Sequence, residues 1–235
     1  MSAKDNRACA LSRTSKETDL ALELRLGGGP VEVRTGIGFL DHLVSSLALH
    51  AGFGLVLACA ADTWVDDHHG AEDCALALGE ALARALASGG KPRRFGSAHA
   101  PLDEALARAV VDLSGRPCCR AELGLAGARL GGLSGEMAEH FLSSLAAAAR
   151  ITLHVDVLAG TNAHHKAEAA FKALALALRE ACALEDSAGP AGEPGSTAGA
   201  SAKGQVALAP IESGGLEAAL GRVKARAAAA REGAR

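Results

Sequence analysis

From Thr14 to Leu26 the apolar residues Leu20, Leu22, Leu24 and Leu26 alternate with charged or small ones, which is the period of a half-buried strand. The turn residues Gly27-Gly28-Gly29-Pro30 follow, then a second extended piece, so this opening reads as a hairpin. Leu40 to Ala51 has helical spacing, Leu55 to Val65 is strand-like, and Glu72 to Ser88 is a strongly apolar helix stopped by Gly89-Gly90. Leu102 to Leu113 mixes polar and apolar positions. The turn Ser114-Gly115-Arg116-Pro117 closes a first unit, placed at residues 1–117.

The second unit, residues 118–184, can be laid on the first. Asp41-His42-Leu43-Val44-Ser45-Ser46-Leu47-Ala48 matches Glu139-His140-Phe141-Leu142-Ser143-Ser144-Leu145-Ala146. His68-His69-Gly70-Ala71-Glu72-Asp73 matches His164-His165-Lys166-Ala167-Glu168-Ala169, and each copy runs into an Ala/Leu-rich helix. An internal repeat with the same helix, strand and helix order predicts a pseudo-symmetric α+β fold. Residues 185–210 shift to Gly, Ala, Ser and Pro without apolar periodicity and read as a linker. Residues 211–235 read as a mobile tail, within which Leu216 to Arg235, rich in Ala, Arg and Glu, has helical composition but a weak apolar face.

Composition narrows the functional classes. The chain has 235 residues, enough for one large or two small domains with a real core, and its formal net charge of -3 gives no general attraction for nucleic acid or anionic membranes. Aromatics are only 3%, so the core must come from Leu, Val and Ala on closely approaching elements. The six cysteines, Cys9, Cys59, Cys74, Cys118, Cys119 and Cys182, form no CxxC pair, sit mostly in apolar runs and read as reduced core thiols of a cytosolic-type compartment. No apolar run is long and charge-free enough to span a bilayer, and Met1 to Arg13 lacks a signal-type apolar stretch. The expectation is a cytoplasmic protein, or a plastid one had a transit peptide been removed.

The chemistry lies in the repeated histidines. Each His-His pair is followed by a Glu four residues after its first and three after its second imidazole, which on a helix places His and Glu on overlapping faces. One histidine on an apolar helix is ordinarily a hydrogen-bonded core residue. Eight residues recurring in order in two copies, His42, His68, His69, Glu72, His140, His164, His165 and Glu168, are a metal-ligand set. Imidazole with carboxylate suits manganese, iron or zinc, and the lack of Cys in the motif argues against a structural thiolate site.

With these residues in place, the sequence resembles the imidazoleglycerol-phosphate dehydratase family. The motifs that carry the likeness are Gly36-Ile37-Gly38-Phe39-Leu40-Asp41-His42, Asp66-Asp67-His68-His69, Asp112-Leu113-Ser114-Gly115-Arg116-Pro117 and Leu158-Ala159-Gly160-Thr161-Asn162-Ala163-His164-His165. They run from about Arg13 to Ala183 and resume at Ser201 to Gly204. The resemblance implies two repeats, each a four-stranded sheet with two helices on one face in the manner of ribosomal protein S5 domain 2. It also implies trimers built into a 24-subunit shell, and two manganese ions per subunit at subunit contacts. The implied reaction removes water from imidazole glycerol phosphate to give imidazole acetol phosphate in histidine biosynthesis, through a metal-bound imidazolate and a diazafulvene-like intermediate. No nucleic-acid or membrane partner is implied.

Further roles come by resemblance, position by position. Glu17 matches the substrate-contacting glutamate and is the candidate for proton transfer; His50 and Lys172 match substrate-site positions; Glu72 and Glu168 are ligands that also shape the reacting site. Arg94, Arg116, Ser201 and Lys203 match a phosphate pocket. Alone, Glu17 reads as a strand charge, Arg94 as part of a solvated basic loop, Arg116 as a turn residue, His50 as a helix cap and Lys172 as a surface charge. Asp103 and Glu104 read as ordinary exposed charges and are unassigned. Ser201-Ala202-Lys203-Gly204 departs from the family's Ser-Thr-Lys-Gly, and the residues beyond Pro210 have no family counterpart. Two rivals remain: a di-metal hydrolase of a phosphorylated substrate, which would favour bridging Asp ligands, and a metal-stapled assembly protein, which would leave Glu17, Lys172 and the arginines without a purpose.

Overall fold

The computed structural model describes residues 5–185, 209–211 and 215–233. Its first half runs β1 (Ala8–Thr14), β2 (Thr18–Arg25), β3 (Val31–Arg34), α1 (Gly38–Ala51), β4 (Gly54–Ala61) and α2 (His68–Ala87). The second runs β5 (Phe95–Leu102), β6 (Ala105–Asp112), β7 (Cys118–Glu122), a two-residue pair β8 (Arg129–Leu130) and β9 (Leu133–Ser134), α3 (Gly135–Ala149), β10 (Thr152–Ala159) and α4 (Ala163–Cys182). The main sheets have matching orders, β1-β2-β4-β3 and β5-β6-β10-β7, with β3 and β7 parallel to β4 and β10. The first gains a short edge strand, β11 (Ala209–Pro210), paired with Leu11 and Ser12. The duplicated α+β fold predicted from the repeat is the fold observed.

Two boundaries differ from the sequence reading. The hairpin is β1–β2, turning at residues 15–17, while Gly27 to Pro30 carries the chain across to β3, which pairs with β4 rather than β2. β1 escaped notice because Leu11 is its one fully buried apolar residue. The repeats also divide near Gly89-Gly90, not at residue 117: β5 and β6 belong to the second sheet, where β6 pairs with β10 over Thr152↔Asp112 to Ala159↔Leu106. That pairing is long-range, and no turn signal betrays it.

The helices fill the space between the sheets. Leu20, Leu22 and Leu24 of β2 point inward onto them, fully buried, and each such side chain contributes roughly 1.5–3 kcal/mol by leaving water. α2 packs along α3 and α1 along α4, so the helical layer joins the halves. Alanines line these faces, with Phe141 and Phe171 meeting at 5.7 Å in the middle. At Gly79 of α2 a Cβ would come 2.5 Å from the Leu145 carbonyl oxygen and 2.8 Å from Ala148 Cβ of α3.

The stretch expected as a mobile tail forms α5 (Gly215–Gly233) instead. Ala219 and Val223 are buried against Ala21, Ala58 and Ala60 on the outer face of the first sheet. Its apolar stripe looked weak because it is short and meets alanine. All six cysteines are free, and Cys118 is exposed on the edge strand β7 rather than buried. Among the described residues no helix is long and apolar enough to cross a membrane.

Gly79→Ala is expected to force α2 and α3 apart and destabilise the chain by about 1–3 kcal/mol. Urea unfolding measures this; an unchanged midpoint would show that the approach at Gly79 is not a packing constraint.

Candidate metal and substrate site

Both His-His pairs open helices. Asn162 caps α4, its side-chain oxygen accepting from His164 N at 2.9 Å and His165 N at 3.3 Å, and Asp66 accepts from His68 N at 2.8 Å at the start of α2. Adjacent residues on a helix point about 100° apart, so the two imidazoles of a pair cannot face the same point.

The first imidazole of each pair, though exposed, turns in toward the facing helix of the other half. His164 and Glu168 of α4 meet His42 of α1: Glu168 Oε1 is 2.7 Å from His164 Nε2 and 3.0 Å from His42 Nε2. His68 and Glu72 of α2 meet His140 of α3: the Glu72 carboxylate oxygens are 3.5 Å from His68 Nε2 and 3.4 Å from His140 Nε2. In each trio the potential ligand atoms lie within 4.8 Å of one another. Phe39 stands beside the first trio, its ring 4.8 Å from that of His164.

Two imidazoles and a carboxylate converging on one point fit a borderline divalent ion, and three protein ligands leave coordination positions open, as catalytic rather than structural sites do. Burial alone would raise the Glu168 carboxyl. The Lys172 ammonium at 2.9 Å, with His42 and His164, outweighs burial and brings it down to about 2, so this ligand stays ionised.

The second imidazole of each pair turns outward only in the sense of away from its trio, is the less exposed of the two, and is gripped through Nδ1. His69 Nδ1 lies 3.1 Å from both oxygens of Asp62, and His165 Nδ1 lies 2.7 Å from Glu104 Oε2. A carboxylate on Nδ1 fixes the ring and frees Nε2 to bind a metal. Sequence reasoning missed both anchors. Glu104 also accepts from the backbone N–H groups of Asn162 at 2.8 Å and Thr161 at 3.1 Å; the Asn162 bond, then His165 and Thr161, hold its carboxyl down at about 2. One signal was available: Glu104 immediately precedes the second strand of its repeat, as Glu17 does in the other.

Glu17 is exposed in the β1–β2 turn. Its own backbone N–H and Ser15 lower its pKa most, with His69 close enough to add to this. Its carbonyl accepts from the N–H of Asp62, whose carboxylate grips His69, so Glu17 stands on the His69 side and not inside a trio. His50 is on α1 about 12 Å along the axis from His42, and the chain does not bring it to either trio. Arg94 and Arg116 flank one end of the second sheet, where Arg94 N–H donates to Ala181 O at 3.1 Å and Thr152 Oγ1 donates to Arg116 O at 3.3 Å. That end lies roughly 20 Å along α4 from Glu168. Arg94 is paired with Asp112 at 2.7 Å and stacks on Phe95, its guanidinium carbon 4.8 Å from the ring centre. Ser201 and Lys203 lie outside the described residues.

Glu104→Gln is expected to loosen His165 and weaken divalent-metal binding about 10–100-fold, read by chelator competition on metal-stripped protein. Because its folded pKa is depressed, the stability that Glu104 adds to metal-free protein should be full above the ordinary carboxylate range and lost as pH falls toward about 2. Equal stability of the two proteins at neutral pH would contradict this.

Comparison with known proteins gives the family. The family model described as imidazoleglycerol-phosphate dehydratase matches residues 35–178. Among curated proteins of that name, the one from Saccharomyces cerevisiae is 54% identical over 166 residues, covering 71% of this chain and 76% of its own length. The one from Candida glabrata is 51% identical over 190 residues, covering 73% and 90%. Among solved structures, the imidazoleglycerol-phosphate dehydratase of Staphylococcus aureus superposes with a TM-score of 0.69 at 32% identity, over 76% of this chain and 99% of that one. The Pyrococcus furiosus enzyme, solved in complex with (S)-C348, gives 0.66 at 36% identity, over 74% and 94%. These likenesses place the chain in the imidazoleglycerol-phosphate dehydratase family, a family of hydro-lyases.

Proposed function

We propose that this hydro-lyase removes water from imidazole glycerol phosphate, giving imidazole acetol phosphate, with two manganese ions per chain and with each active site completed by a neighbouring copy. The observation that carries the proposal is the division of each His-His pair, one imidazole closing an inward trio and the other fixed outward on a carboxylate. One chain thus offers two three-ligand half-sites, His42/His164/Glu168 and His68/Glu72/His140, and two further ligands, His69 and His165, that cannot reach them. A contact between copies supplies what each lacks, which supports an assembly such as the expected 24-mer of trimers.

The divalent ions, when bound, stabilise negative charge that develops on the imidazole ring of the substrate. The chain's own groups do the rest. Glu168, kept ionised by Lys172, and Glu72 complete the ligand sets. The carbon–oxygen bond at the carbon next to the ring breaks as the ring's electrons push out its hydroxyl, which leaves with a proton as water. Glu17, on the His69 side of the site, takes the poorly acidic proton from the following carbon, directly or through water, and the resulting enol becomes the ketone. Lys172 and His50 contact the substrate, His50 from another copy because its own trios are out of reach.

Arg94 and Arg116, with Ser201 and Lys203, receive the phosphate. Two guanidinium groups at one sheet end suit a dianion, and Asp112 holds Arg94 in position until phosphate competes for it. Because this end is roughly 20 Å from the chain's own Glu168, the phosphate pocket serves a trio on a neighbouring chain. Manganese is favoured over softer ions by the nitrogen and oxygen donors and the absence of thiolate.

Metal-stripped protein is expected to convert imidazole glycerol phosphate only after manganese is restored, and Glu17→Gln to lower turnover by about 100-fold or more while binding the metal normally. No ketone from assembled, metal-loaded protein would overturn the proposal and shift it to a di-metal hydrolase or an assembly scaffold. Full turnover by Glu17→Gln would remove that residue from the proton transfer.

A further inference from the structure

We propose that α5 is a positioning element for the reaction, acting through Arg226 on the turn that carries Glu17. The proposal rests on the reading above that Glu17 moves the proton.

The helix is seated by small residues. Ala219 and Val223 are buried on a patch of Ala21, Ala58 and Ala60, with Ile211, Leu220 and Ala227 packed around them. Alanine on both sides lets the helix axis lie close to the outer face of β2 and β4, and brings its later turns level with the β1–β2 turn. There Arg226 extends both arms onto the turn's backbone: Nη2 donates to Lys16 O at 2.8 Å and Nη1 to Ser15 O at 3.3 Å. Charge-assisted bonds from one planar group to two consecutive carbonyls fix two peptide planes at once.

Those planes matter because of what they join. The Lys16 carbonyl belongs to the peptide unit that enters Glu17, and the Glu17 carbonyl, in the unit that leaves it, accepts from Asp62 N–H at 3.1 Å. Both peptide units flanking Glu17 are therefore held, one by α5 and the other by the loop that also supplies the Asp62 carboxylate to His69. Ser15 Oγ accepts from Glu17 N at 3.2 Å and Thr18 N at 2.9 Å, so the turn has internal order, but these bonds are local and do not fix it relative to the site. Thr18 Oγ1 donates to the buried carboxylate of Asp73 on α2, so the far side of the turn is anchored; without Arg226 its Ser15–Lys16 side, held by local bonds alone, would belong to the readily opened part of the structure. Proton transfer is sensitive to such placement: a displacement of about 1 Å can cost on the order of 100-fold in rate.

The test compares full-length, metal-loaded Arg226→Gln with Arg226→Lys, with Arg222→Gln as a control on an exposed arginine of the same helix, and with Glu17→Gln alone and combined with Arg226→Gln. Amide hydrogen exchange of residues 15–18 reads the clamp, and steady-state kinetics read its consequence. The expected result is faster exchange in Arg226→Gln and a fall in kcat of about tenfold with KM nearly unchanged. Partial recovery in Arg226→Lys, no effect of Arg222→Gln and no further loss in the Glu17→Gln background should accompany it. Unchanged exchange would overturn the clamp itself. Faster exchange with unchanged kcat, or a loss that adds fully to that of Glu17→Gln, would reduce Arg226 to a structural contact. Full turnover by Glu17→Gln would instead overturn the reading of Glu17, whatever the exchange result.

Discussion

The close packing of α1 on α4 and of α2 on α3 is the constraint on which the rest of this molecule depends. Neither half holds a complete trio of inward ligands. His42 needs His164 and Glu168 from the second half, and His140 needs His68 and Glu72 from the first. The helix axes must approach closely for these donors to meet, which is why the interface is made of alanine and of Gly79, where a single added carbon has no room. Low aromatic content is thus a functional requirement of the site as much as a property of the core.

Duplication also gives the site its asymmetry. Both outward imidazoles need a carboxylate on Nδ1. In the second half the residue before the second strand, Glu104, does this work; in the first half Asp62 does it, leaving the corresponding Glu17 exposed beside His69. The trios differ as well. Glu168 carries an ammonium from Lys172 at 2.9 Å, whereas the apolar Leu76 stands four residues after Glu72, where the repeat would put its counterpart. Two nearly equal halves thereby come to present different chemistry, one exposed glutamate and one lysine, around two similar trios.

The members of the two candidate trios were legible in the sequence as six of the eight residues that recur in order, His42, His68, His69 and Glu72 as His140, His164, His165 and Glu168, a pattern that packing alone does not explain. How the set divides was not legible. Spacing along a helix places His68 and Glu72 together, but only the helix crossings decide that His140, not His42, joins them. Glu104 was passed over because a glutamate in a hairpin turn looks the same in sequence whether it faces water or an imidazole. The boundary between repeats was misplaced for a similar reason, since the pairing of β6 with β10 joins segments far apart in the chain. The docking of α5, though not its helical character, was missed because alanine packed on alanine leaves hardly any hydrophobic signature.

The central claim, that each metal position is closed by ligands from both repeats, is tested most directly by anomalous diffraction near the manganese edge from manganese-loaded crystals. The account predicts two peaks for each chain, one among His42, His164 and Glu168 and one among His68, Glu72 and His140, each approached by an outward histidine of a neighbouring copy. A peak held by His68 and His69 together, or by His164 and His165 together, with His42 and His140 left apart from it, would contradict the account.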